Sequence, residues 1–419
     1  MKKRNIPFSP PDITEAEINE VVDALKSGWI TTGPKTKELE RLVAKRCGVN
    51  KAICLNSNTA CSEMTLRILG IGPGDEVIVP AYTYTASASV VEHVGAKLVL
   101  IDCEPGKFTW DYDKLERAIN EKTKVIIPVD LFGIPADYDR LFELVERKKD
   151  LFHPFQNTPA GQGIDSEQWG LKIQKAIGRV IVMADGAHAF GASYHGKPVG
   201  SIADFTNFSF HAVKNLTTAE GGAVTWQDIP GIDNEALYHL YQLYSLHGQS
   251  KDAFAKNKLG AWEYNIVAPW FKCNMTDVHA AIGLAQIRRY DDILARKRKM
   301  IEAYDEAFKN LPVSSVQHYS DQYKSSGHLY ILSLTGKTRE KANQFIIGLA
   351  NLGIASNVHY KPIPLHTGYM GMGISAVDYP NCVEQFSSEV TLPLHTMMSD
   401  EDVRYVIWGV QKVYHELFG

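Results

Sequence analysis

Asn207-Phe208-Ser209-Phe210-His211-Ala212-Val213-Lys214-Asn215-Leu216-Thr217-Thr218-Ala219-Glu220-Gly221-Gly222 is the stretch from which the fold is read. Residues 204–210 set Phe205, Phe208 and Phe210 among polar side chains, a nearly alternating run that predicts a strand feeding a short loop. Lys214 stands in that loop, Gly221-Gly222 marks another turn, and residues 223–226 predict the next strand. A lone lysine is thus placed at a strand end, between strands that belong to a core. Burial disfavours the charged form of lysine, and a lysine so treated can act as a nucleophilic amine. Most lysines are simply solvated, so Lys214 alone would pass for a surface residue.

Upstream, Val180-Ile181-Val182-Met183-Ala184 is a continuous apolar run and predicts a buried strand. It ends in Asp185-Gly186-Ala187-His188-Ala189-Phe190-Gly191. A carboxylate at the end of a buried strand is costly unless it has a partner. Pyridoxal phosphate would provide one, because its ring nitrogen takes an acidic partner while its aldehyde takes a lysine. Asp185 alone would equally be a turn cap. Asp185 and Lys214 at two successive strand ends are much harder to obtain by accident.

These motifs resemble the DegT/StrS family of pyridoxal-phosphate sugar aminotransferases. The likeness also runs through Ile6-Pro7-Phe8-Ser9-Pro10-Pro11, Gly28-Trp29-Ile30-Thr31-Thr32-Gly33-Pro34 and Pro80-Ala81-Tyr82-Thr83-Tyr84. It returns at Lys272-Cys273-Asn274-Met275-Thr276-Asp277 and His359-Tyr360-Lys361-Pro362. The resemblance implies an α/β fold of the aspartate-aminotransferase type (fold type I). It would have a large domain with a mainly parallel sheet and a smaller carboxyl-terminal α/β domain. We expect an arm at residues 1–11, the cofactor domain at 12–274, and a connecting helix with the small domain at 275–419.

The resemblance also implies roles. Lys214 would be the Schiff-base lysine and the base and acid of the proton shift. Asp185 would hold the ring nitrogen, and His188 would lie against the ring, although a structural histidine is an equal reading. Asn58, Thr59 and Ala60 follow an apolar run and open a helix, where backbone N–H groups face an anion such as the phosphate. A plain helix cap is compatible with that role. Ser209 would add a phosphate donor, Tyr84 would stack on the ring, and Asn274 would reach the phosphate of a neighbouring subunit. Trp29, Thr31, His359, Tyr360 and Lys361 resemble loops lining the acceptor pocket, though each alone reads as a loop residue. No arginine can be assigned to the donor's carboxylate.

The implied reaction takes an amino group from an amino acid, glutamate in the family, through pyridoxamine phosphate to a nucleotide-linked keto-sugar. A cyclitol ketone is an alternative acceptor. A dehydratase is an alternative activity, although a histidine in place of Lys214 would mark it. A regulatory protein on the same fold is a third possibility. The resemblance implies a homodimer with shared active sites.

Composition is consistent with this. At 419 residues the chain exceeds one ordinary core. A net charge of −4 gives no sign of nucleic-acid binding. No apolar run approaches the ~20 residues of a membrane span, and the basic start is followed by Asn5-Ile6-Pro7 and not by an apolar signal core. Cys47, Cys54, Cys61, Cys103, Cys273 and Cys382 have no metal-site spacing and read as thiols of a reducing compartment, so a cytoplasmic enzyme without a metal is expected.

The remaining pattern predicts helices at 14–27 and 35–46, and strands at 52–56, 76–79, 97–101 and 124–129 with helices between most of them. A surface excursion at 148–178 holds one helix near 166–177. One long helix is expected from 276 to 308. Beyond it we expect strands at 327–334 and 354–360, and helices at 339–352 and 400–416.

Overall fold

The computed structural model describes residues 3–155, 166–250 and 263–419. Its centre is a seven-stranded sheet of β1 (Ala52–Leu55), β2 (Glu76–Pro80), β3 (Lys97–Ile101), β4 (Thr123–Ile126), β5 (Ile181–Asp185), β8 (Phe205–Ser209) and β9 (Gly222–Trp226). The strand order is β1-β9-β8-β5-β4-β2-β3. β8, β5, β4, β2 and β3 run parallel, and β9 alone opposes both of its neighbours. All five residues of β5 are buried, as both faces of a helix-covered parallel sheet require. The alternation in β8 sends Phe205 to one apolar cluster and Phe208 to another on the opposite face.

Helices α1 (Glu15–Lys26) and α2 (Pro34–Cys47) open the chain. The capping box of Thr14 and Glu17 starts α1. The loop after α1 turns at Gly28, and α2 is closed by Gly48, both at positive φ. Helices α3 (Asn58–Ile68), α4 (Thr85–His93), α5 (Tyr112–Ala118), α6 (Tyr138–Arg147) and α7 (Ser166–Ile177) alternate with the strands. Part of the predicted excursion, residues 156–165, lies outside the described residues. Helix α8 (Asn234–Ser245) follows β9.

Short strands β6 (Ser193–Tyr194), β7 (Lys197–Pro198) and β11 (Tyr323–Lys324) form one small sheet. Strands β10 (Val313–Ser315), β12 (Tyr330–Leu334) and β13 (Glu389–Leu392) form an antiparallel sheet in the carboxyl-terminal third, with its own apolar cluster.

The structure corrects several expected elements. The helix expected over 276–308 is two helices, α9 (Asp277–Arg288) and α10 (Tyr290–Phe308). The break falls at Arg289, whose guanidinium is tied to Asp12 and to Glu17 of α1, while the next side chain, Tyr290, is anchored by its hydroxyl to the Phe190 carbonyl at 2.7 Å. Residues 354–360 do not form a ladder strand. The Tyr360 N–H donates to the Tyr82 hydroxyl (3.0 Å) and the His359 N–H to Glu389 Oε2 (3.1 Å), so side chains take the bonds that a neighbouring strand would have taken. The strand expected at 124–129 ends at Ile126, just before Pro128, which has no N–H for a ladder. The strand expected at 327–334 begins only at Tyr330.

Candidate active site

Parallel strands β1, β2, β4, β5 and β8 end on one edge of the sheet, and their carboxyl ends meet there. Ligands of such sheets bind at this edge. A cavity of about 340 Å³ opens at that edge. Its lining includes Asn58, Thr59, Tyr84, Asp185, His188, Ser209, Lys214, His359 and Tyr360.

Asp185 ends β5 and is 5% exposed. Its Oδ1 accepts from Asn58 Nδ2 (2.9 Å) and from the Ala187 N–H (3.0 Å), and its Oδ2 accepts from the Ser87 hydroxyl (2.6 Å). The Ser87 hydroxyl in turn lies 3.0 Å from Thr83 Oγ1. Lys214 lies in the turn after β8, where its N–H donates to the His211 carbonyl. Burial pushes its amine down to about 8, against the opposing pull of Asp185.

His188 is buried, and burial together with the charge of Lys214 drives its imidazole well below the ordinary histidine range. The Phe132 N–H donates to His188 Nδ1 (3.1 Å), so the neutral ring carries its proton on Nε2, which faces the Tyr360 hydroxyl at 2.9 Å. Phe132 itself sits at φ +63°, a conformation that bulky residues rarely adopt. The tight turn puts its N–H on His188 and its carbonyl under the N–H groups of His328 and Leu329. The ring of His328 lies 4.3 Å from that of His188. Tyr84 is 57% exposed at the cavity mouth, with its ring 5.6 Å from that of Tyr360. His359 stacks on Phe8 of the amino-terminal arm, and burial lowers its pKa to about 4.

The first turn of α3 faces the same cavity. Ser57 Oγ accepts the Ala60 N–H, so that donor is already used, and the N–H groups of Asn58 and Thr59 belong to the turn that has no intrahelical partner. Gly222 makes this approach possible. A Cβ there would sit 2.6 Å from the Asn58 nitrogen and 2.7 Å from the Phe208 carbonyl oxygen. This cradle, with the Ser209 hydroxyl beside it, suits a phosphate group. The ring end is equally suited, since a buried carboxylate and an amine of lowered pKa face one cavity. The residues present therefore fit pyridoxal phosphate.

Besides Ala60, whose N–H is taken by Ser57, four residues expected near the site do not line this cavity. Trp29 donates through Nε1 to the Thr32 carbonyl, and the Thr31 carbonyl accepts the Asp277 N–H. Asn274 donates to Thr32 Oγ1 (2.6 Å) and accepts from Lys272. Asp277 binds the N–H groups of Gly33, Lys35 and Thr36 and thereby fixes the loop after α1 to the start of α9. Trp29, Thr31 and Asn274 thus belong to one bonded group of loops outside the cavity lining, and Asn274 also bridges Leu55 at the end of β1. The fourth, Lys361, lies just beyond Tyr360, and its carbonyl faces His366 Nε2 at 3.1 Å. Sequence reasoning missed Ser87, Phe132 and His328. None of them stands in a motif of its own, and each reaches the site only through tertiary contacts.

The chain matches the DegT/DnrJ/EryC1/StrS aminotransferase family over residues 11–152 and 159–411. It is 34% identical to the spore coat polysaccharide biosynthesis protein SpsC of Bacillus subtilis, over 99% of this chain and 98% of that one. Among solved structures it resembles Spr1654 of Streptococcus pneumoniae, provisionally described as a sugar aminotransferase, in its PMP-form. The identity is 53%, the coverage 99% and 100%, and the TM-score 0.93. The PLP-form of the same protein matches at 52% identity with a TM-score of 0.92, over 99% of this chain and 100% of that one. Helicobacter pylori PseC, an aminotransferase involved in the biosynthesis of pseudoaminic acid, matches at 25% identity with a TM-score of 0.81, over 99% and 100% of the two chains. By the family match along both parts of the sheet and by the donor set at its carboxyl edge, the chain belongs to the DegT/DnrJ/EryC1/StrS aminotransferase family of pyridoxal-phosphate-dependent enzymes.

Proposed function

We propose that this enzyme moves an amino group from glutamate to the ketone of a nucleotide-linked sugar, in two half-reactions, as a step in amino-sugar biosynthesis. One observation carries the reading: the amine of Lys214, held near 8, and the carboxylate of Asp185 line the same cavity. When bound, pyridoxal phosphate supplies an aldehyde for amines and a ring that withdraws electrons from the reacting carbon. The residues of the chain position and move protons around it. Lys214 Nζ, with a pKa close to working pH, takes a proton from the α-carbon of the donor and can return it elsewhere. Asp185 would accept from the ring N–H. His188, neutral and fixed as the Nε2–H form, covers the ring without adding charge. The first turn of α3 and Ser209 would hold the phosphate, and Tyr84 would close the mouth by stacking.

Trp29, Thr31, His359, Tyr360 and Lys361 are our candidates for the sugar and its nucleotide. His359 and Tyr360 line the cavity, while Trp29 and Thr31 belong to the cluster with Asn274. Asn274 does not line the cavity of its own chain, and we propose a homodimer in which it serves the partner's site, with residues 12–274 as the cofactor domain. The biosynthetic contexts of SpsC and PseC support a sugar acceptor. Retention of lysine at position 214 favours amino transfer over dehydration. No helix among the described residues is long and apolar enough to cross a membrane; we place the enzyme in the cytoplasm.

The test is an absorbance spectrum of the purified protein with pyridoxal phosphate, followed by titration with glutamate. A visible band that glutamate bleaches, and that a nucleotide-linked keto-sugar restores, is expected. A band indifferent to glutamate would reject the donor, and restoration by a free cyclitol ketone alone would reject the nucleotide.

A further inference from the structure

We infer that Asn58 and Ser87 are positioning residues for the cofactor, clamping Asp185 so that one acceptor site of its carboxylate is left for the ring N–H. The inference rests on the proposed role of Asp185; it adds Ser87, which no motif assigned, and gives the side chain of Asn58 a task distinct from that of its backbone N–H.

A carboxylate offers about four lone-pair sites, two on each oxygen. On Asp185, Oδ1 is filled by Asn58 Nδ2 and the Ala187 N–H, and Oδ2 has one site filled by Ser87. Three donors on four sites leave a single vacancy, on Oδ2. Both side-chain donors come from the first turns of helices that follow other strands, α3 after β1 and α4 after β2, so the carboxyl plane is held from two sides. Thr83 Oγ1 lies 3.0 Å from Ser87 Oγ. Since Ser87 spends its proton on Asp185, the Thr83 hydroxyl must be the donor to Ser87.

The amide of Asn58 bears the sign of a residue kept for this contact. Its Oδ1 is buried with no hydrogen-bond partner. An orphaned buried acceptor costs about 1–3 kcal/mol, and turning the amide over would point that oxygen at the carboxylate of Asp185. Helix capping does not need the side chain either, because Ser57 caps α3. A glycine at 58 would keep the backbone N–H of the cradle and lose only the clamp.

A freely rotating carboxylate can offer either oxygen and meet the ring N–H at a poor angle. A clamped one presents a fixed lone pair, which matters because hydrogen bonds weaken steeply with misalignment. The clamp therefore sets how well the bound ring keeps its proton.

The experiment loads wild type, Ser87→Ala, Ser87→Thr, Asn58→Gly and Asp185→Asn with pyridoxal phosphate labelled with ¹⁵N in the ring. It reads the nitrogen's chemical shift and the cofactor's dissociation constant. We expect Asp185→Asn to move the shift fully to the unprotonated position. Ser87→Ala and Asn58→Gly should move it part of the way, with cofactor affinity about tenfold weaker each, the worth of one hydrogen bond of ~1.4 kcal/mol. Ser87→Thr, which keeps the hydroxyl, should restore the wild-type shift. If Asp185→Asn moves the shift while Ser87→Ala and Asn58→Gly leave it and the affinity unchanged, the clamp is rejected and the role of Asp185 stands. If Ser87→Thr behaves like Ser87→Ala, packing and not the hydroxyl is responsible, and the clamp again fails. If Asp185→Asn leaves the shift unchanged, the role of Asp185 itself is wrong.

Discussion

Lys214 should titrate far below an ordinary lysine even before any cofactor is bound. Burial lowers its pKa from 10.5 to about 8, and Asp185 opposes that shift. At pH 7 an amine with a pKa near 8 is neutral about a tenth of the time, against roughly one part in 3,000 for a lysine near 10.5. The cavity therefore offers about 300 times more reactive amine at neutral pH than an exposed lysine does. Competitive labelling of the apoprotein with trace acetic anhydride reads this directly, with an exposed lysine such as Lys26 as reference in the same sample. Labelling of the Lys214 peptide should rise about ninefold from pH 6 to pH 7 and less than twofold from pH 8 to pH 9. Replacing Asp185 with Asn removes the negative charge that holds the proton on, so the bend should move to lower pH. A Lys214 profile that climbs tenfold per unit through pH 9 would refute the reasoning, as would a bend that moves upward in Asp185→Asn.

Three further outcomes are expected. Lys297 is buried, its Nζ donates to the Leu394 carbonyl at 2.9 Å, and burial lowers its pKa to about 7. Since the folded pKa is depressed, the penalty is full below pH 7 and fades as pH rises towards 10.5, so the folded protein gains stability across that window. The fall from 10.5 to about 7 corresponds to about 5 kcal/mol, against roughly 1–3 kcal/mol for leaving the carbonyl without a donor. Lys297→Met should then raise the denaturant midpoint at pH 6 and lower it at pH 10; an equal change at both would contradict the account. Histidine ¹⁵N spectra of the apoprotein should show His188 in the Nε2–H form and resisting protonation at pH 5, because the Phe132 N–H occupies Nδ1; a proton on Nδ1 would contradict the geometry. Mixing Lys214→Ala and Asn274→Ala chains should restore activity towards roughly a quarter of wild type, as random pairing in a two-fold dimer with shared sites requires. No gain despite demonstrated heterodimers, with Asn274→Ala alone impaired, would place Asn274 outside the partner's site.

How much was legible follows from where each residue draws its partners. The apolar run before Asp185 and the phenylalanine pattern before Lys214 are local signals; they placed Asp185 at a strand end and Lys214 in the loop after a strand, because a buried strand leaves its pattern in five consecutive side chains. The contacts that shape Asp185 were not legible. Ser87 and Asn58 are 98 and 127 residues away, and only the parallel sheet brings their helix starts to the same edge. His188 and Tyr360 are 172 residues apart and likewise meet only in the fold. Long-range partners also explain the elements misread. The helical period runs without interruption through Arg289, yet the break there depends on Asp12 and Glu17 near the other end of the chain. Residues 354–360 carry strand-like composition, but their N–H groups go to scattered partners: Ala355 to the Ile6 carbonyl, Asn357 to the Thr391 carbonyl, His359 to Glu389 and Tyr360 to Tyr82.

We assign Lys214 as the residue to which the cofactor is linked and through which protons move. Borohydride reduction of the pyridoxal-phosphate-loaded enzyme, digestion and mass spectrometry test it most directly. The account predicts a reduced phosphopyridoxyl group on the peptide containing Lys214, absent from Lys214→Ala, which should stay folded and lose turnover. The same label on another lysine, or turnover retained by Lys214→Ala, would contradict it.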